Sequence, residues 1–413
     1  MMNDRYLKLL CLLFFHTTFV YLDDGSGIGR IIQAICLGGV IILLLMKRQL
    51  KLKPQYKKIN GFVVAYCIAM LFISYFSKEI NIDQLNQLGI GSVKDDLKLS
   101  SYTLGIMISV SVYVAFSLVE YLCSINKTII LFRVFYKTFL FYLIISDLQF
   151  LIVGETTGNE GYLVGNKFSL SYMHILCYIL YKITETLECK KRKIFNRFLI
   201  FLTFAISLLT GCTTALIGMF AIVLVLHLHN SKLYKLLYNG YTYIAILFSG
   251  VIFMFSYSYV LDIPVVQYII VDVLHEDLTL TGRTDIYDLM LLILPARPIL
   301  GFGVGNSHWV LAYLFGIANA QNGLVNLYIE EGLVGVVLYL LIFASIFRYS
   351  KKHIPHNFTF PLLCYIATFF FMGLVEITID NKLLIIMSFL LAYSSSNFNS
   401  KKYAKSKYNC SNI

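Results

Sequence analysis

Stretches of about twenty mostly apolar residues recur along the whole chain, and no other feature restricts the fold as much. Each is long enough to cross a hydrocarbon core of roughly 30 Å as a helix. The runs fall at about 6–22, 28–46, 59–77, 99–123, 129–153, 167–186, 195–210, 213–229, 240–262, 324–347, 358–377 and 382–395. Of the 413 residues, 58% are hydrophobic and 14% charged, against about 25% charged in a soluble domain. The expected fold class is an all-α polytopic integral membrane protein with about twelve transmembrane helices. Splitting 195–229 into two helices rests on "TGCT" at 210–213, where Gly and Thr suit a tight turn. The first run leads into "DDGSG" with no small-residue cleavage site before it, so it is expected to be the first membrane helix and not a signal peptide.

The formal charge of +11 would raise the question of nucleic acid in a soluble protein. Here the basic residues fall in alternate short loops, which is the positive-inside pattern of membrane topology. One side carries Arg5 and Lys8, the group Lys47 to Lys58, Lys127, the group Lys190 to Arg197, Lys232 and Lys235, Arg348 to Lys352, and the tail lysines 401–407. The opposite loops are mixed or acidic. The alternation puts both termini in the cytoplasm and expects no nucleic-acid partner. It divides the chain into helices one to nine (1–262), a large extracytoplasmic loop (263–322), helices ten to twelve (323–395) and a cytoplasmic polar tail (396–413). Most of the nine cysteines lie inside apolar runs without a C-x-x-C pair, so small buried hydrophobes are expected, with no disulfide framework. No zinc spacing and no Asp-x-Asp appears, and neither a metal nor another cofactor is expected.

The sixty-residue outer loop is where chemistry is sought, because loops of that length tend to be functional. "IPVVQYIIVDVLHED" (263–277) starts with Pro264 at a first helical position. "TDIYDLMLLILP" (284–295) predicts a second helix, capped by Thr284 or Asp285 and ended by Pro295. A structured cap is therefore expected. Arg283 precedes the second helix, where an Arg beside exposed N–H groups suits a phosphate. It could equally pair with Asp285 or Asp288. "PARPILGFGVGNSHW" (295–309) adds Arg297, then Gly301, Gly303 and Gly305, and His308. Its glycines either let the backbone approach a ligand or form a tight hairpin in the cap. His308 is either a base near pH 7 or a surface hydrogen-bonder.

In "NAQNGLVNLYIEEGLVG" (319–335), a helix starting near Asn322 would carry Asn322, Asn326 and Glu330 on one face, with Glu331 about 100° away. Lipid does not accept that face, so it should look into the bundle or a wet cleft. Gly332 and Gly335 are expected to let a neighbouring helix approach closely. If the stretch were only a wet outer surface, it would carry no chemistry. Asp147, Glu155, Thr210, Glu376 and Asp380 are lesser outer-side candidates, and the helical His residues, His174 among them, are expected at the cytoplasmic edge or in the core.

In this order, Gly282-Arg283 with its helix, Pro298-x-x-Gly301-x-Gly303, and Gln321-Asn322-x9-Gly332-x-x-Gly335 resemble the conserved end of the O-antigen ligase/polymerase superfamily of bacterial membrane glycosyltransferases. The likeness covers about 282–335, and the topology agrees over the whole chain. It implies a GT-C-like, metal-independent enzyme of the cytoplasmic membrane that takes glycan from undecaprenyl diphosphate to a sugar hydroxyl at the outer face. Where the ligases have His, this chain has Gln321, and an amide takes no proton at neutral pH. That favours a polymerase of O-antigen or capsule repeat units over a ligase to lipid A-core.

A lipid-linked oligosaccharide flippase or other transporter is the alternative from another class. The resemblance implies undecaprenyl-diphosphate-linked oligosaccharide and membrane lipids as partners, with a chain-length regulator and a flippase in the same pathway. Arg283 and Arg297 are the cations available for the diphosphate, with Gly301, Gly303, Gln321, Asn322 and Asn326 around the substrate. His308, Glu330 and Glu331 are the candidate bases, with no choice among them.

Overall fold

The computed structural model describes residues 4–20, 28–50, 52–77, 101–154, 162–188, 190, 192–227, 235–268, 271–272, 283–353 and 356–393. Among them the ordered elements are helical: α1 (Asp4–Phe19), α2 (Ile28–Met46), α3 (Lys57–Phe76), α4 (Ser101–Ser124), α5 (Thr128–Val153), α6 (Lys167–Glu188), α7 (Lys193–Leu209) and α8 (Thr213–His227). Then follow α9 (Gly240–Leu261), α10 (Pro264–Tyr268), α11 (Arg283–Ile293), α12 (Ser307–Phe315), α13 (Gly323–His353), α14 (His356–Met372) and α15 (Asn381–Ser388), which runs on as a 3₁₀ turn over Phe389–Tyr393. Each of the twelve apolar runs coincides with one of these helices. Five of them, α2, α3, α4, α5 and α13, hold stretches long and apolar enough to cross a membrane, so this is a helical membrane protein. The α7–α8 turn falls at Thr210–Cys212, where "TGCT" predicts it. The polar tail 396–413 and the segment 78–98 lie outside the described residues.

The bundle is apolar on its outer surface as well as in its core. Ile31, Ile35, Ile42 and Leu45 of α2 and Phe201 of α7 point outward, which lipid tolerates and water penalises. Inside, α3 packs against α4 and α13, α1 against α2 and α5, and α6 against α5, α7 and α14. Large buried rings fill the contacts, among them Phe14, Phe15, Phe132 and Tyr339. Stacks and T-shaped pairs such as Phe15–Phe139, with centroids 4.6 Å apart, fix their geometry.

The described part of 263–322 contains helices. Helix α10 begins on Pro264, and α11 spans Arg283–Ile293, close to the predicted 284–295. A second, smaller core holds this cap to the bundle. Tyr287, Met290 and Ile293 of α11 and Val310, Leu311 and Leu314 of α12 pack with Met254 of α9, Phe302, and Val325 and Ile329 of α13.

Candidate active site

Helix α13 is not continuous. Gly332 has φ 62° and ψ −168°, a conformation open essentially to glycine. In an unbroken helix the N–H groups of Leu333 and Val334 would bond the carbonyls of Ile329 and Glu330. Instead Leu333 N–H donates to Pro298 O (2.9 Å) and Val334 N–H to Ile299 O (3.2 Å). The stranded carbonyls of Ile329 and Glu330 accept from Phe302 N–H (2.8 Å) and Gly303 N–H (2.9 Å). The turn 298–303 thus satisfies every backbone group that the break frees from those two bonds. The break lies about 14 Å along the helix from Gly323, at 1.5 Å per residue. At such depth irregular backbone survives only when protein buries it, and residues 301–304 are buried.

Two sequence expectations change here. Gly332 does not serve as a smooth packing face: its missing side chain admits Ile299 O and Gly301 N, which an added Cβ would meet at 2.3 and 2.6 Å. Gly335 leaves room for Glu331 of its own helix, whose Cβ would lie 2.2 Å from an added methyl. Nor are the turn's N–H groups free for a diphosphate. Those of Gly301, Phe302 and Gly303 are spent on Arg297 O, Ile329 O and Glu330 O. Gly301 and Gly303 bind the broken helix, not the cavity.

A cavity of about 1180 Å³ opens at one end of the bundle. Its wall comes from the start of α6 (Asn166 to Met173), the α7–α8 turn, Ser307 and His308 of α12, Asn319 and Gln321, the end of α14, and the turn Leu374–Lys382. These are the segments that the charge pattern assigns to the outer side. Ile286 of α11 also lines it, one turn after Arg283; the Arg283 side chain lies outside the described residues. Arg297, just past α11, is not among the lining residues.

His308 is exposed at the cavity and its Nδ1 lies 2.8 Å from Ala318 O. A carbonyl only accepts, so Nδ1 carries a proton, and Nε2 is the nitrogen left to bind or release one. Ser307 Oγ donates to Glu330 Oε1 at 2.6 Å, and Asn326 Nδ2 reaches the same oxygen at 3.4 Å. Glu330 therefore stands behind Ser307, one hydroxyl away from the cavity. Asp380 caps α15 by accepting Leu383 N–H (2.8 Å), with Lys382 beside it in the wall. Burial raises the Asp380 carboxyl above its ordinary value, against the opposing Lys382 ammonium and the backbone N–H groups.

Glu331 is fully buried and turned away from the cavity. The Tyr66 hydroxyl of α3 lies 2.8 and 3.0 Å from its two oxygens and 2.6 Å from Asn381 Oδ1. It ties α13 to α3 and to the first residue of α15, away from the residues that line the cavity. Asn322 is likewise structural. Its Oδ1 accepts from Leu324 and Val325 N–H (both 3.1 Å), an N-cap, while Nδ2 donates to Leu374 O (3.1 Å). Asn326 is buried. His174 is a core residue, its Nε2 3.0 Å from Asp147 Oδ1.

The structure therefore brings His308 and Gln321 to one cavity, holds Glu330 behind it, and sends Glu331, Asn322, Asn326, Gly301 and Gly303 into the scaffold. Sequence reasoning missed Ser307, Lys382, Asn381, Tyr66 and Tyr172. Ser307 and Lys382 had a signal, since they stand beside His308 and Asp380 in outer-loop segments. Tyr66 and Tyr172 are two of thirty tyrosines inside apolar runs, and nothing local marks them. In comparisons with known proteins, the chain matches no family model and no curated protein.

Proposed function

We propose that this protein polymerises lipid-linked polysaccharide repeat units at the outer face of the bacterial cytoplasmic membrane, both termini lying in the cytoplasm after twelve crossings. The observation that carries the reading is the cavity: it is large enough for several sugar rings. It also gathers His308, Gln321, Asp380 and Lys382 at the bundle end opposite the basic loops. In the reaction, His308 Nε2 takes the proton of the acceptor sugar hydroxyl. The hydroxyl oxygen attacks the anomeric carbon of the donor, the bond from that carbon to the diphosphate breaks, and undecaprenyl diphosphate leaves. Its developing charge needs a cation, supplied by Lys382 and by Arg283 at the start of α11. Glu330, through Ser307, fixes the turn on which His308 sits.

A transporter would use the loose ends of a broken helix to hold its cargo. Here the four groups freed at the Gly332 break are already bonded to 298–303, which weighs against that alternative. The test is deletion of the gene followed by electrophoresis of surface polysaccharide, with complementation by His308→Ala. Loss of the polymer ladder with single repeat units remaining is expected for both strains. An intact ladder in the deletion strain refutes the reading; bare core with polymer accumulating on the lipid carrier would instead mark a ligase.

A further inference from the structure

Two polar atoms in residues of the cavity wall stand out because no well-formed hydrogen bond to a described residue satisfies them. Gln321 Oε1 is buried without a hydrogen-bond partner among the described residues, the buried Tyr172 hydroxyl has the Cys212 thiol and the Thr214 hydroxyl beside it but a well-formed hydrogen bond to neither, and both residues line the cavity. One is an acceptor and the other a donor. A buried polar atom left unpaired costs free energy that a fold does not normally retain without a use.

Gln321 carries a second anomaly. Its φ is 51°, in the left-handed region that side chains other than glycine, Asn and Asp seldom enter. The conformation is imposed from both sides. Gln321 N–H donates to Asn319 Oδ1 (2.9 Å), while Gly323 N–H donates to Gly373 O (2.8 Å) and Asn322 Nδ2 to Leu374 O (3.1 Å). Strain held in place this way clusters at ligand sites.

The surroundings name the ligand chemistry. Tyr172 packs edge-on against Phe369 (5.7 Å), and Phe369 stacks on Tyr365 (4.1 Å), so an aromatic wall continues beside the polar atoms. Glu376 stands near, its Oε1 3.5 Å from Thr214 Oγ1. Aromatic faces, a neutral donor, a neutral acceptor and one carboxylate suit a pyranose ring. The ring presents C–H faces to aromatics and hydroxyls that both donate and accept. They suit a phosphate poorly, since an amide oxygen and a carboxylate repel it.

We infer that Tyr172, Gln321 and Glu376 form the subsite that holds the acceptor sugar. There the Gln321 carbonyl and the Glu376 carboxylate accept from sugar hydroxyls and the Tyr172 hydroxyl donates to one. The inference rests on the polymerase reading and adds to it where the acceptor binds. The full-length protein in lipid nanodiscs is dialysed to equilibrium against single repeat units hydrolysed, free of lipid, from the host's own surface polysaccharide. Wild type, Tyr172→Phe and Gln321→Gly are compared for binding and for thermal stability.

Tyr172→Phe keeps the ring and its contact with Phe369. Gln321→Gly keeps the backbone, because glycine takes φ 51° without cost. Each variant is expected to bind about tenfold more weakly, as one lost hydrogen bond allows, and Gln321→Gly is expected to melt no lower than wild type. Unchanged binding in either variant, no binding by wild type, or a lower melting point for Gln321→Gly overturns the subsite. If the deletion strain still loses its ladder, the polymerase reading survives that failure. An intact ladder removes both.

Discussion

Replacing Gly332 by Ala tests the broken helix directly. The added Cβ would lie 2.3 Å from Ile299 O and 2.6 Å from Gly301 N, so the break cannot keep its present contact. Holding a side chain at φ 62° costs about 1–3 kcal/mol. If α13 instead closes into a regular helix, it regains two hydrogen bonds but forfeits the four that join it to 298–303, a net loss of two. At roughly 1 kcal/mol each, closing costs about 2 kcal/mol in place of the strain.

The expected destabilisation is therefore at least about 2 kcal/mol, or at least about 2 °C in melting temperature on the entropy scaling of folded domains. Gly316→Ala is the control: its φ is 68° but an added Cβ meets nothing within 4 Å, so it pays conformational strain alone. Gly301→Ala strikes the same contact from the other side, 2.6 Å from Glu330 O and Gly332 N. Because both changes break one set of bonds, the double variant should cost at least about 1 kcal/mol less than the sum of the singles. Thermal unfolding of the purified protein, followed by cysteine accessibility, reads all four. A cost of Gly332→Ala below about 1 kcal/mol, or strict additivity of Gly301→Ala and Gly332→Ala, would refute the reasoning.

Tyr66→Phe leaves Glu331 and Asn381 without their shared hydroxyl and is expected to cost about 1–3 kcal/mol. Glu331→Gln keeps the shape, supplies a donor of its own, and should stay within about 1 kcal/mol of wild type; a larger loss for the Gln variant in the same melting assay would show that the carboxyl itself is needed. Asp380 has its carboxyl raised by burial. A carboxyl raised on folding lends its stability at low pH and loses it as pH climbs from about 4 through the folded value. Asp380→Asn keeps a side-chain oxygen for the Leu383 N–H and removes that loss, so its melting temperature should gain on wild type between about pH 4 and 7; a constant difference across that range counts against the assignment.

What the sequence settled is local in origin. The span a helix can cover depends on the length and apolarity of its own residues, and so the twelve runs of the sequence became helices at the predicted places. The "TGCT" turn and the Pro264 helix start are likewise short-range preferences. The separation of Glu330 from Glu331 also follows from a 100° step between neighbours: one lies toward Ser307, the other toward Tyr66. The site is different, because its parts meet only through the packing.

"GLVG" is equally good for a close helix contact and for a break. What decides is the turn 298–303, some thirty residues earlier, which offers two carbonyls and two N–H groups at the right place. Asn322 carried the spacing that suggested a substrate contact, yet Leu374, far along the chain, and the first turn of α13 use up its amide. Gln321, next to it, keeps a side-chain carbonyl oxygen that no described neighbour satisfies. Backbone angles, partners and burial are properties of the whole bundle, and the tertiary structure alone sets which amide is spent on the scaffold and which is left facing the cavity.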